Sequence, residues 1–226
     1  YNHLPNARRM APGADVHWAE RKGARLAIEE LRRRGARRVG FIGNASWSKM
    51  KALAEAFDLV DLNGDYAQLR MRKSDEEIQW MRIGAALSDL GIEALAQGAR
   101  PGMTERELGA LVERDYHALG GTTTIHFIGI NDMQRPDCCV PPQYHSSRRL
   151  KGGDMMFVEF TASFWDSPGQ VLRSFTVEAE PTPLFRDLYA TAEAAFKAMT
   201  GVLRAGVTMQ EIVDASGVIE EAGFTT

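Results

Sequence analysis

The run Met155-Met156-Phe157-Val158-Glu159-Phe160 is apolar except for one carboxylate. Strands of that composition are buried on both faces, so Glu159 needs a partner. A polar residue recurs eleven positions later, at Gln170, inside the run Gly169-Gln170-Val171-Leu172-Arg173-Ser174-Phe175-Thr176-Val177. If the two runs are strands joined by an aromatic turn at Phe164-Trp165, antiparallel pairing sets Glu159 opposite Gln170, with Cβ atoms about 4.5–5.5 Å apart on one face. A carboxylate placed this way can exchange a proton with a substrate or ligate a cation. A neutral amide can hold the carboxylate by a hydrogen bond, but it is a poor ligand for a hard or borderline dication. The alternative is a buried, hydrogen-bonded Glu–Gln pair with no chemical role.

The elements that must position this pair are marked by caps and periodicity. Ser74-Asp75-Glu76-Glu77 is a capping box, and behind it Ile78, Met81, Ala85, Ile92 and Leu95 share one face of a helix running to about Ala96. A break at Gly98 to Gly102 precedes a second box, Thr104-Glu105-Arg106-Glu107, whose helix runs to about Leu119. Thr122 to Ile130 is β-branched and aromatic, hence a strand. It carries His126, read either as a packed strand residue or as a contact for substrate. Asn131 to Arg149 is a long loop with cysteine and aromatic content, which points to function rather than disorder. Beyond the hairpin, Thr182 caps a helix with Pro183 at its first position, running to about Leu203. Arg204-Ala205-Gly206-Val207-Thr208-Met209-Gln210-Glu211-Ile212 then repeats Arg100-Pro101-Gly102-Met103-Thr104-Glu105-Arg106-Glu107-Leu108 at an offset of 104. Such a repeat implies a pseudo-symmetric domain with a site between its copies, or simply a common way for a chain to turn a corner.

Upstream, residues 1–13 read as irregular. Asp15 caps a helix that stops at Gly35, Arg38 to Gly43 is a strand, Ser46 to Phe57 a helix and Leu59 to Leu62 a strand. This alternation predicts a small α/β unit over residues 1–72 and a second unit over 73–226, with the boundary near Arg70 to Lys73. Arg32, Arg33, Arg34, Arg37 and Arg38 read as a solvated helix end that complements the helix dipole.

Gly153-Asp154, the apolar run with Glu159, and Gln170 followed by Val171-Leu172-Arg173-Ser174-Phe175 together resemble the methionine aminopeptidase, Xaa-Pro peptidase (aminopeptidase P, prolidase) and creatinase superfamily. Lys73-Ser74, Glu77-Ile78 and Met81 resemble the opening of its catalytic domain. The resemblance implies an α+β (mixed α/β) fold: an incomplete pita-bread domain over 73–226, preceded by the C-terminal part of a creatinase-like N-terminal α/β domain. In the family's metallopeptidases the positions of Glu159 and Gln170 are both Asp and ligate two divalent metals, with a His and two Glu supplied later in the chain. Creatinase-like members hydrolyse a C–N bond without metal and have lost these aspartates. The resemblance therefore implies either a divalent metal (Mn, Co or Zn) with Glu159 as a ligand, or no cofactor. A substrate-contacting His is expected twelve residues before Asp154, where Pro142 stands. The nearest imidazole is His145, so the implied catalytic residues are His145 and Glu159, with Gln170 and His126 binding substrate. A homodimer acting on a small molecule or short peptide is implied, as is a chain that continues beyond Thr226.

Composition narrows the alternatives. At 226 residues and 44% hydrophobic there is ample core material, and a net charge of −3 without long like-charge runs gives no sign of nucleic-acid or anionic-membrane partners. No apolar stretch approaches the roughly 18 residues of a membrane span. The adjacent Cys138 and Cys139 have neither disulfide nor zinc spacing, which suggests reduced thiols and a cytoplasmic protein. Three readings follow: a metal-free amide or C–N hydrolase using Glu159 and a His, a metal-dependent Xaa-Pro peptidase, or a non-catalytic binding or dimerisation protein on the same fold.

Overall fold

The computed structural model describes residues 3–140 and 144–225. The chain divides into two compact units, Tyr1–Lys73 and Ser74–Thr226.

In the first unit α1 spans Leu4–Met10, α2 Gly23–Arg33, β1 Arg38–Phe41, α3 Trp47–Ala56, β2 Asp58–Asp61 and α4 Asn63–Met71. β1 and β2 pair in parallel, Val39 with Leu59, with α3 as the connection between them. Three expectations are corrected here. Residues 4–10 are helical, with Pro5 near the helix start, where its missing N–H costs nothing. α2 starts at Gly23 rather than after Asp15, because the Asp15 carboxylate lies 2.9 Å from His17 Nε2 and caps no helix. α4 is an additional helix that lacks the apolar periodicity by which helices are read; Asp61, just upstream, receives the backbone N–H of Asn63 at 2.9 Å. Part of the basic cluster is neutralised locally, since Arg33 and Arg34 both bind Glu30 and hold its carboxyl at about 2.

The second unit is built on a three-stranded antiparallel sheet in the order β3-β4-β5, with β3 at Thr122–Asp132, β4 at Asp154–Phe164 and β5 at Ser167–Thr176. α5 (Asp75–Gly98) and α6 (Glu105–His117) cover one face. Both capping boxes form as expected, the side chains of Ser74 and Thr104 each accepting the N–H three residues on. α7 (Pro183–Val202), α8 (Met209–Ala215) and α9 (Val218–Glu221) follow, and the repeated box at Thr208 and Glu211 also forms.

The core lies between α5, α6 and the sheet, where Leu95, Leu108, Val112, Ile128 and Phe160 are fully buried. α5 meets the sheet with only the C-terminal part of the expected stripe, where Leu95 is buried and Ile92 packs on the core. Ile78 and Met81 are exposed, whereas Gly84, Leu87, Ser88 and Gly91 are buried. Small residues let the helix backbone descend onto the strands. A Cβ built on Gly169 of β5 would lie 2.2 Å from Ala85 N and 2.3 Å from Gly84 C. Ser88 Oγ accepts the backbone N–H of Ala162 in β4 at 3.0 Å, so a helix side chain satisfies a buried donor of the sheet.

The hairpin turn is Trp165-Asp166, one residue later than expected. Both residues have positive φ, 47° and 59°, the primed conformation that matches strand twist in two-residue hairpins. Glu159 therefore faces Leu172, and Gln170 faces Thr161. Moving the partner by two residues preserves the side-chain alternation, so Glu159 and Gln170 still share a face as diagonal neighbours.

Candidate functional site

Side chains alternate along β4. Met156, Val158, Phe160 and Ala162 point to α5 and α6, while Met155, Phe157, Glu159, Thr161 and Ser163 point to the opposite face. On that second face Gln170 Nε2 donates to Glu159 Oε1 at 2.6 Å. Glu159 is half-buried and Gln170 exposed, a wetter setting than the apolar run implied. The period-2 pattern also places Thr161 here, a residue that sequence reading missed. It is 2% exposed, lies directly opposite Gln170, and its buried Oγ1 has no hydrogen-bond partner. Further along the same face, a cleft of about 700 Å³ is lined by Asn131, Phe157 and Ser174, by Leu188 and Tyr189 of α7, and by Cys138 and Cys139.

The two histidines are elsewhere. His126 pairs with Phe160 in the β3–β4 register, which sends its side chain to the helix side. There its Nδ1 lies 2.9 Å from Glu113 Oε1 of α6, its side chain is 7% exposed, and its buried Nε2 has no partner. His145 stands edge-on to His126, with ring centroids 4.7 Å apart, and its Nε2–H donates to the His126 carbonyl at 3.1 Å. It fits only because residue 109 of α6 is glycine; a Cβ there would lie 2.7 Å from His145 Cε1. The structure thus joins Glu159 to Gln170, and His126 to His145, on opposite faces of one sheet. Glu159 sharing a proton with His145 is not the arrangement observed. The reason is strand alternation: His126 and Glu159 sit in adjacent, oppositely directed positions, and His145 follows His126. Pro142 lies outside the described residues.

The return arm of the loop is pinned at the start of α6. Ser146 N–H donates to the buried Glu105 carboxylate at 2.6 Å, and Arg148 reaches the buried Asp154 at 3.3 Å. Asp154 also accepts the Lys151 N–H at 2.9 Å, so the Gly-Asp pair of the motif shapes the entry to β4.

Burial pushes the His126 pKa below the usual 6.5, and the neighbouring His145 adds to that, while the Glu113 hydrogen bond opposes it. The unfolded chain therefore takes up this proton at higher pH than the folded one. The stabilisation is complete above about pH 6.5 and declines as pH falls from there to the folded pKa, by at most about 1.4 kcal/mol per pH unit. Melting curves between pH 7.5 and 5 should show this decline in the wild type and a shallower one in His126→Phe. Parallel pH profiles would contradict it.

Residues 79–226 match the family model described as metallopeptidase family M24. The chain belongs to family M24. A curated relative, the uncharacterized hydrolase/peptidase y4tL of Sinorhizobium fredii, is 24% identical over 191 residues, covering 82% of this chain and 48% of the relative. Among solved structures, the Xaa-Pro dipeptidase from Bacillus anthracis superposes with a TM-score of 0.78 at 21% identity, covering 99% of this chain and 63% of that one. The prolidase from Pyrococcus furiosus gives 0.76 at 21% identity, covering 88% and 58%. This M24 chain spans about half the length of the curated relative it matches. Its fold is the mixed α+β pita-bread architecture that the hairpin motif implied.

M24 peptidases are generally divalent-metal dependent, which sets a requirement for the donors present. Among the described residues, no three His, Cys, Asp or Glu side chains converge as a metal site requires. At the expected ligand pair one donor is a carboxylate and the other an amide whose N–H already points at it. This set does not fit a pair of dications. No helix among the described residues is long and apolar enough to cross a membrane.

Proposed function

We propose that the protein is a hydrolase of an amide or related C–N bond in a short peptide or small molecule, creatinase-like in using no metal at the Glu159–Gln170 position. The observation that carries this reading is the half-buried Glu159 carboxylate, held by Gln170 on the sheet face away from the helices, in a member of family M24. Glu159 would accept a proton from the attacking water and return it to the departing nitrogen as the C–N bond breaks. Gln170 positions Glu159, and the nearby apolar cleft takes an uncharged part of the substrate. His126 and His145 act in this reading by holding the loop 133–149 rather than by touching substrate.

A second reading, a metal-dependent Xaa-Pro dipeptidase with Glu159 as a metal ligand (Mn, Co or Zn), is favoured by the family description and by the solved neighbours. Residues 1–72 fit the C-terminal part of a creatinase-like N-terminal domain, supported by the parallel β1–α3–β2 unit. A homodimer is supported by exposed apolar residues along α7, including Leu184, Tyr189 and Phe196. A cytoplasmic location is supported by the adjacent free cysteines.

The test is to incubate the full-length protein with Xaa-Pro dipeptides, Xaa-Ala dipeptides and a small guanidino acid, following amine release with and without chelator. Turnover that survives chelation supports the first reading, and turnover restored only by Mn²⁺, Co²⁺ or Zn²⁺ supports the second. No turnover under any condition overturns both in favour of a non-catalytic binding protein.

A further inference from the structure

Two polar side chains meet on the hairpin face away from the helices: the Glu159 carboxylate and the Gln170 amide. The amide is 2.6 Å from Glu159 Oε1, and only one of its two orientations is chemically consistent. With the carbonyl turned inward, oxygen would face oxygen; with the NH₂ inward, the carboxylate gains a charge-assisted hydrogen bond. Thr161, the register partner of Gln170, has a buried Oγ1 without a partner, although buried hydroxyls are normally satisfied.

A dication at Glu159 would meet three obstacles. The amide N–H occupies the carboxylate oxygen that faces Gln170. Rotating the amide to offer its oxygen would break that bond. Finally, the hairpin offers one carboxylate where the family's metallopeptidases offer two, so a cation in this half-buried position would have one negative charge fewer beside it.

We propose that Gln170 is a metal-excluding residue. It closes this position to divalent cations and keeps Glu159 as a hydrogen-bonded carboxylate that receives an N–H or O–H of the ligand. Metal exclusion stands on the donor geometry alone. Only the identity of the ligand as substrate rests on the hydrolase reading.

The experiment uses the full-length protein stripped with chelator and titrated calorimetrically with Mn²⁺, comparing wild type with Gln170→Asp and Gln170→Glu. Both substitutions set a second carboxylate beside Glu159 and cost some stability without metal, which the exposure of residue 170 limits and a thermal melt of each variant measures, and the second preserves side-chain length. Restoring a carboxylate should tighten Mn²⁺ binding by about tenfold or more, since affinity for hard cations follows ligand charge count. The wild type should retain less than about one equivalent through gel filtration, where the family's pair of ligands would hold about two. Two retained equivalents in the wild type, or unchanged affinity in both variants, overturns the proposal. Hydrolysis is measured on the same samples. Tightened metal binding without any wild-type turnover sinks only the hydrolase reading. Turnover that is lost to chelator and restored by Mn²⁺ sinks metal exclusion and leaves a hydrolase.

Discussion

Gly169→Ala is expected to cost about 3 kcal/mol or more, the largest stability effect of any single methyl group in the second unit. The added Cβ would sit 2.2 Å from Ala85 N and 2.3 Å from Gly84 C, and both are backbone atoms of α5. A flexible side chain could turn aside from such a contact, but a helix backbone cannot. Either α5 lifts from β4 and β5, exposing the core around Leu95 and Phe160, or the hairpin bends away from it. For a unit of this size the cost corresponds to a fall in melting temperature of about 6–12 °C. Gly201→Ala is the matched control. It lies in α7 with nothing within 4 Å of where the new methyl group would sit, and should gain about 0.5–1 kcal/mol from helix propensity. A melting temperature of Gly169→Ala within a degree of wild type would show that α5 and β5 do not touch as described.

The second large effect is on turnover. Glu159→Gln is expected to lower kcat/KM about 10²–10⁴-fold on whichever substrate the panel yields, the range typical of a positioned general acid or base. Stability should change by less than about 1 kcal/mol, because the new amide keeps an oxygen that can accept the Gln170 N–H and Gln170 itself is exposed to water. Glu159→Ala removes the acceptor, but water can replace it at the exposed Gln170, so its cost should stay near about 1 kcal/mol, below that of breaking a fully buried pair. Thermal melts and steady-state kinetics on one preparation separate the two quantities. Turnover within threefold of wild type would remove Glu159 from the chemistry, whatever its hydrogen bond to Gln170.

Much of this arrangement is legible in the sequence, and where it is not the causes are physical. The three capping boxes at Ser74, Thr104 and Thr208 are readable because a box is a local exchange of two hydrogen bonds, complete within four residues. The hairpin and the shared face of Glu159 and Gln170 are readable because alternation survives a register change of two. The register itself is not, since it depends on Trp165 and Asp166 adopting positive φ without a glycine to announce the turn. The first half of the buried face of α5 departs from the expected stripe, while Ile92 and Leu95 keep to it, because periodicity weighs large apolar residues, whereas glycine and serine make the closest contacts. The histidines are separated from Glu159 by the β3–β4 register, which only the structure gives: His126 and Phe160 are register partners, so the imidazole points with Phe160 and away from its neighbour Glu159. The Glu113–His126 pair joins a helix to a strand, and only tertiary structure brings those two positions together.

The close contact at Gly169 and the exposure of Gln170 beside it have a consequence for how such a site can change over time. The two neighbours on β5 face opposite constraints: one tolerates no side chain, whereas the other projects into water and bears little of the folding load. Substitutions at 170 are thus nearly neutral for the architecture while altering the charge offered to a ligand. A lineage could pass between carboxylate and amide at this position by single replacements without crossing a fitness valley of misfolding. The immobile glycine would keep the backbone in place throughout, so the chemistry on this face can drift while the scaffold beneath it does not.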